Sequence, residues 1–138
     1  MATPVVSQGA EAQRTIDDFD AISRVVQVFI EAEAQGDAAK FAEAFHPDAR
    51  MFGHVEGERY DMPISEYSTA AQPANSEGTH RGRLVSVTQV GDAAQAIVAE
   101  DGAWGSASFV DFLSLARIDG AWKIVSKTFA HTGGKMPQ

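Results

Sequence analysis

Apolar side chains at Phe19, Ile22, Val26, Phe29 and Ile30 recur at three- and four-residue steps, and Glu33 is next in the series. That spacing makes one stripe of a helix, predicted from about Thr15 or Asp17 to Gln35. Asp17, Asp18 and Asp20 crowd its expected first turn, where the helix dipole favours negative charge. Gly36 suits the left-handed stop position. Asp37 is the expected N-cap of a second helix over residues 38–45, with Phe41, Ala44 and Phe45 facing inward. His46-Pro47 ends that helix, because proline cannot continue the hydrogen-bond ladder. His46 is expected to cap its C-terminal end. Residues 1–14 are small and polar without periodicity; they read as a flexible tail ahead of a single domain, 15–138.

The pattern then turns to alternation. Residues 49–55 read as a strand with Arg50, Phe52 and His54 on one face, followed by a turn at Glu56-Gly57-Glu58 and a return strand, 59–61. A third helix is predicted over residues 63–72, with Asp61 as its cap and Pro63 in its first turn. From Thr79 onward the chain reads as strand. Residues 79–90 and 93–101 pair through a Gly91-Asp92 turn, which sets Arg83 opposite Glu100 as a cross-strand ion pair and Val85 opposite Val98. The strongest signal is the stretch 105–130, a long hairpin turning at Asp119-Gly120, the dipeptide that best tolerates positive φ at both turn positions. Counting back from that turn sets Asp111 opposite Thr128. Phe109, Asp111, Leu113, Leu115, Trp122, Ile124, Ser126 and Thr128 then share one face, taken as the face under the helices. Val110, Phe112, Val125, Lys127 and Phe129 share the other. Helices first and antiparallel strands after is an α+β layout.

Composition narrows the function classes. The chain has 138 residues, a formal net charge of −8 and eleven Lys and Arg residues. These basic residues are scattered, which argues against nucleic acid, since phosphate binding needs clustered cations. With no cysteine there is no disulfide framework, thiol nucleophile or thiolate metal site. No apolar run approaches membrane-spanning length. The N-terminal residues lack the basic and apolar regions of a secretory signal, so a cytoplasmic location is expected. The four histidines show no metal-ligand spacing, and neither metal nor cofactor is expected.

Asp111 is the sharpest chemical candidate. A carboxyl on the inner face is desolvated, which raises its pKa and suits a general base or a neutral hydrogen-bond donor. A buried Asp satisfied by Thr128, Ser126 or a backbone amide is the structural alternative. Tyr60 and Tyr67 are candidate oxyanion donors, or else aromatics that cover the open end of the sheet. Trp104 is a candidate for the pocket mouth or for an interface. Apolar residues on both faces of the hairpin imply that both are covered; the helices cover one and a second subunit, giving a homodimer, is expected to cover the other.

Phe45-His46-Pro47-Asp48-Ala49 and Asp119-Gly120-x-Trp122-Lys123-Ile124-Val125 resemble the NTF2-like superfamily, and more closely its lumazine-binding or SnoaL-like bacterial branch. The likeness spans about residues 16–132. It implies an α+β cone, with three N-terminal helices packed on a strongly curved, mainly antiparallel sheet. It also implies a pocket for a small hydrophobic or aromatic molecule. Members include isomerases, dehydratases, cyclases, catalytically silent binders and association domains, and the fold does not choose among them. In the resemblance, ketosteroid isomerases carry a base on the strand after the second helix. His54 holds roughly that place where they have Asp, which makes it the expected proton partner of Asp111. Ser126, Thr128, Tyr60, Tyr67 and Trp104 are the expected ligand contacts.

Overall fold

The computed structural model describes the backbone of residues 5–137 and the side chains of residues 14–137. Helix α1 runs Val5–Gln35, starting some ten residues before its predicted first turn. The backbone of residues 5–14, expected as a tail, is therefore helical; residues 1–4 lie outside the described residues. Asp17, Asp18 and Asp20 consequently sit inside the helix, away from its first turn. Asp18 instead receives Arg117 Nη1 at 2.6 Å and Gln89 Nε2 at 2.8 Å, which ties the helix to the sheet. The predicted stripe is real at Ile22, Val26 and Phe29, all fully buried, and Glu33 is buried with it; Phe19, at its outer end, is half exposed.

Gly36 takes φ +62 and stops the helix. Asp37 caps α2 (Ala38–Ala44), its carboxylate accepting from the Ala39 and Lys40 amides. Strand β1 (Phe45–Val55) begins at once, so His46 is a strand residue and not a helix cap. Its Nδ1 accepts from the Asp48 amide at 3.0 Å. Strand β2 (Glu58–Pro63) returns through Glu56-Gly57, where both residues take positive φ. Helix α3 (Ile64–Ala70) has Pro63 at its N-cap position, with no side-chain cap. Asp61, expected there, binds Arg50 across the β1–β2 pair at 2.9 Å.

Four strands then meander: β3 (Arg81–Val90), β4 (Ala93–Ala103), β5 (Ala107–Ile118) and β6 (Ala121–Gly133). The sheet order is β2-β1-β6-β5-β4-β3, antiparallel except for β1 beside β6. It is the α+β architecture predicted, three helices on one six-stranded sheet.

Irregularities in the ladders move several predicted pairs by one residue. The β5–β6 turn is as expected, with Asp119 at φ 50 and Gly120 at φ 81, and Ile118 pairs Ala121. The register then slips: Leu115 pairs Ile124, but Ser114 pairs Ser126, leaving Val125 as an extra residue. Such a bulge breaks the alternation and sharpens the local bend. Beyond it, Asp111 pairs Phe129 instead of Thr128, and Lys127 pairs Leu113 instead of Phe112. Lys127 and Phe129 therefore turn inward and are buried, whereas Ser126 and Thr128 turn outward. A second slip, at Val85 on β3, sets Leu84 opposite Val98 and Arg83 opposite Ala99. The expected Arg83–Glu100 pair is replaced: Glu100 points into the core and meets His80, while Arg83 donates to the Gly82 carbonyl.

Candidate functional site

The inner face of the sheet carries more charge than its apolar pattern suggests. Glu33, Glu100, Asp111 and Lys127 are all buried. Each comes from a different element. Glu33 continues the buried stripe of α1, Glu100 lies near the end of β4, and Asp111 and Lys127 face inward from β5 and β6. A lone buried charge is costly, so such groups need partners. Lys127 Nζ donates to Glu33 Oε1 at 3.0 Å. The Tyr67 hydroxyl, from α3, donates to both Glu33 oxygens at 3.2 and 3.0 Å. The Lys127 ammonium also lies 5.1 to 5.5 Å from the ring centres of Phe29, Tyr67 and Phe129, a geometry in which the ring faces attract the cation.

Asp111, Glu100 and His80 form the other half of the cluster. His80 Nε2 lies 2.9 Å from Glu100 Oε1, and both side chains are almost wholly enclosed. The Asp111 and Glu100 carboxyls adjoin. As a bare carboxylate, Asp111 would have no hydrogen-bond donor among the described residues. A proton shared with Glu100 would supply one, since two adjacent buried carboxyls do not both ionise readily. Burial pushes the Asp111 carboxyl well up from its ordinary range; Lys127 opposes this and Glu100 adds to it. Burial likewise raises Glu100 and lowers His80, against the pull of Glu33 and Asp111. Burial also works to lower Lys127, but the negative charge of Glu33 and Asp111 outweighs it and holds the ammonium charged. Tyr67 is pushed well up by burial and then by Glu33, so its hydroxyl keeps its proton.

Glu33, Glu100, Tyr67 and Lys127 form the polar floor of a cavity whose walls include Tyr60, Trp104, Phe109 and Phe129. Its free space is about 30 Å³, room for one or two water molecules. Trp104 is held at the mouth by two bonds to the α3–β3 loop: its Nε1 donates to the Gln72 carbonyl at 3.1 Å, and its amide to the Ala74 carbonyl at 2.8 Å. Asp111 lies just beneath the floor, against Glu100.

The predicted residues thus divide. Tyr60, Tyr67 and Trp104 converge on the cavity, while Asp111 is buried behind Glu100 and does not line it. His54 does not: inner positions on β1 are Ala49, Met51, Gly53 and Val55, which leaves His54 exposed on the outer face beside Phe52. Ser126 and Thr128 are carried to that face by the bulge at Val125. Glu33, Glu100, Lys127 and His80 were not singled out as site residues. A sequence signal exists for the Glu33–Lys127 pair: Glu33, an acid at an inner position of an apolar helical stripe, demands a buried cation, which Lys127 supplies.

Residues 17–130 match the model of the family described as "Putative lumazine-binding". The chain belongs to this lumazine-binding family. It is a branch of the NTF2-like superfamily, and the fold agrees. The lumazine-binding family chain is 31% identical to an NTF2-like protein of unknown function from Methylobacillus flagellatus KT, with a TM-score of 0.76 over 86% of this chain and 94% of that one. It shares its fold with a ketosteroid isomerase-like protein from Erwinia carotovora atroseptica SCRI1043, at 13% identity and a TM-score of 0.66 over 83% of this chain and 96% of that one. A curated relative, aldolase FrzH from Cladobotryum sp, is 27% identical over 115 residues, 83% of this chain and 92% of the relative. Among the described residues no helix is long and apolar enough to cross a membrane.

Proposed function

We propose that this protein moves a proton on a small, mostly apolar carbonyl compound, without a cofactor. The observation that carries the reading is the Glu100 carboxyl on the floor of an aromatic-walled cavity, backed by Asp111 and His80 and accompanied by the Lys127 ammonium. Burial that raises a carboxyl brings its pKa toward neutral pH, where it removes a proton from carbon more effectively. Glu100 takes a proton from the carbon beside the substrate carbonyl. The C–H electron pair becomes a C=C bond, and the carbonyl electrons move to oxygen. The Lys127 ammonium or the Tyr67 hydroxyl stabilises that enolate oxygen. Asp111 and His80 spread the proton gained by Glu100. Returning the proton at another carbon completes an isomerisation. Attack of the enolate carbon on a second carbonyl instead makes a carbon–carbon bond, and the oxygen of that carbonyl takes the proton back from Glu100; this is an aldol step, in line with the aldolase name of the relative. Glu100 thus takes the part of base that the sequence reading gave to Asp111, and Asp111, one group removed from substrate, becomes its proton partner in place of His54.

The test is deuterium exchange of the α-protons of cyclohexanone in heavy water, followed by proton NMR. The protein is expected to accelerate exchange over buffer, and Glu100→Gln to lose about a hundredfold or more of that acceleration. No acceleration, or full acceleration in Glu100→Gln, would defeat the proposal.

A second reading, a non-catalytic binder of a flat heterocycle, is favoured by the aromatic walls and by the family's description. Tight binding of lumazine, recovered unchanged after long incubation with no ketone exchange, would select it. In either case the outer sheet face, where Phe52 and Phe112 are 42% and 39% exposed, is proposed to meet a second copy of the chain. Phe112→Glu is expected to convert a dimer to a monomer in sedimentation; a wild-type monomer would refute the pairing.

A further inference from the structure

The segment after β6 turns back across the molecule and reaches the cavity. Gly134 takes φ +69, and a side chain there would collide with the Ser106 carbonyl. The Lys135 amide donates to Ser106 Oγ at 3.1 Å. These two contacts with the β4–β5 link aim Met136 at the cavity mouth. There its half-buried side chain packs on the core and lines the remaining space beside Trp104 and Tyr60.

A permanent core filler would be expected on a strand or helix, fixed by its neighbours. Met136 instead hangs on a short strap beyond the last strand, next to Gly133 and Gly134. Methionine is flexible and polarizable and fills irregular gaps without locking them. Behind it the floor is charged: the Lys127 ammonium has three N–H groups, and Glu33 accepts one of them.

We propose that Met136 is a displaceable plug in a ligand site, and that the ligand is a flat, mostly apolar molecule carrying a carbonyl oxygen. The body of the ligand takes the place of the Met136 side chain, and its oxygen accepts a hydrogen bond from Lys127. This rests on reading the cavity as a small-molecule site, and it adds a gate and a ligand shape.

The test uses prodan, a fluorescent naphthyl ketone whose emission reports both apolar surroundings and hydrogen bonding to its carbonyl. Met136→Ala shortens the plug. Gly134→Ala leaves Met136 intact but denies the strap its seat against Ser106. Both variants are expected to bind prodan roughly tenfold more tightly than the parent chain, the scale of releasing a partly buried methionine. Lys127→Met in the Gly134→Ala background is expected to shift the emission to the blue. The thermal stability of Gly134→Ala should fall only slightly, by about the 1.4 kcal/mol that a tenfold change represents, because the strap's contacts are lost while the strands keep theirs. Equal affinity in all three chains would overturn the proposal. So would tightening in Met136→Ala alone, which would mean an enlarged hole and not a lifted strap, or no binding to either opened variant. Strap-dependent prodan binding without ketone exchange would defeat the catalytic reading and keep the plug. Ketone exchange with strap-independent binding would do the reverse.

Discussion

Near its turn the β5–β6 hairpin pairs Leu115 with Ile124; beyond Val125 it pairs Ser114 with Ser126, and the slip persists to Phe109 and His131. The turn-side half buries only apolar residues, Leu115, Trp122 and Ile124, with Arg117 at its edge reaching out to Asp18. The far half places Asp111 and Lys127 on that same side. The first half is generic core, and the second supplies the cluster's carboxyl and its cation. One extra residue separates them. A regular hairpin can therefore gain a buried cation opposite an inward carboxyl through a single bulge, which reverses the facing of the β6 residues beyond it while β5 keeps its own.

The sharpest way to break this comparison is to remove the partner of the inward lysine and, separately, to alter its outward neighbour. Glu33→Leu strands Lys127 in a buried site, and breaking a buried pair from one side costs about 3–5 kcal/mol. Thr128→Met, one residue along on the exposed side, should stay within about 0.5 kcal/mol. Urea unfolding of both variants measures the difference; similar losses would mean that the two faces are wrongly assigned.

A smaller effect concerns pH. The ordinary pKa of Asp111 is 3.8 and burial raises it well above that in the folded chain. The native state then holds a proton that the unfolded chain releases. The stability this group contributes is complete below its unfolded pKa and is lost as pH rises through its raised, folded value. The slope is up to about 1.4 kcal/mol per pH unit for each such proton. Asp111→Asn should flatten the decline above pH 3.8, leaving the part that belongs to Glu100. Chemical denaturation across pH measures it, and an unchanged slope would place the proton elsewhere.

Much of the fold was legible because its signals are local. The three- and four-residue spacing from Ile22 to Glu33, the Asp37 cap and the Asp119-Gly120 turn each act within a few residues, and each is found as read. Asp111 was legible for the same reason, since its parity relative to Phe109 and Leu113 lies within one strand. Lys127 was not. Its facing depends on a bulge that leaves no composition signal, and regular counting from the turn carries it to the wrong side. For Glu100 the slip at Val85 changed only the partner across the strand, Gly82 in place of Arg83, while its inward facing follows the alternation of Ala96 and Val98. His54 was correctly grouped with Arg50 and Phe52, but alternation alone does not say which face of β1 is inward. That is decided by β6, its parallel neighbour, far along the chain.

That parallel pairing also bears on the order of assembly. The hairpins of the meander join residues close in sequence, whereas Phe52 must find Thr128, and Glu33 must find Lys127 across 94 positions. Closing so long a loop is the slow, entropically expensive kind of contact. Interactions made only after that closure affect how fast the native state comes apart more than how fast it forms. Glu33→Leu should then raise the unfolding rate and leave the refolding rate nearly unchanged in stopped-flow measurements. A slowed refolding limb would mean that the two ends of the chain meet early, with the ion pair already in place.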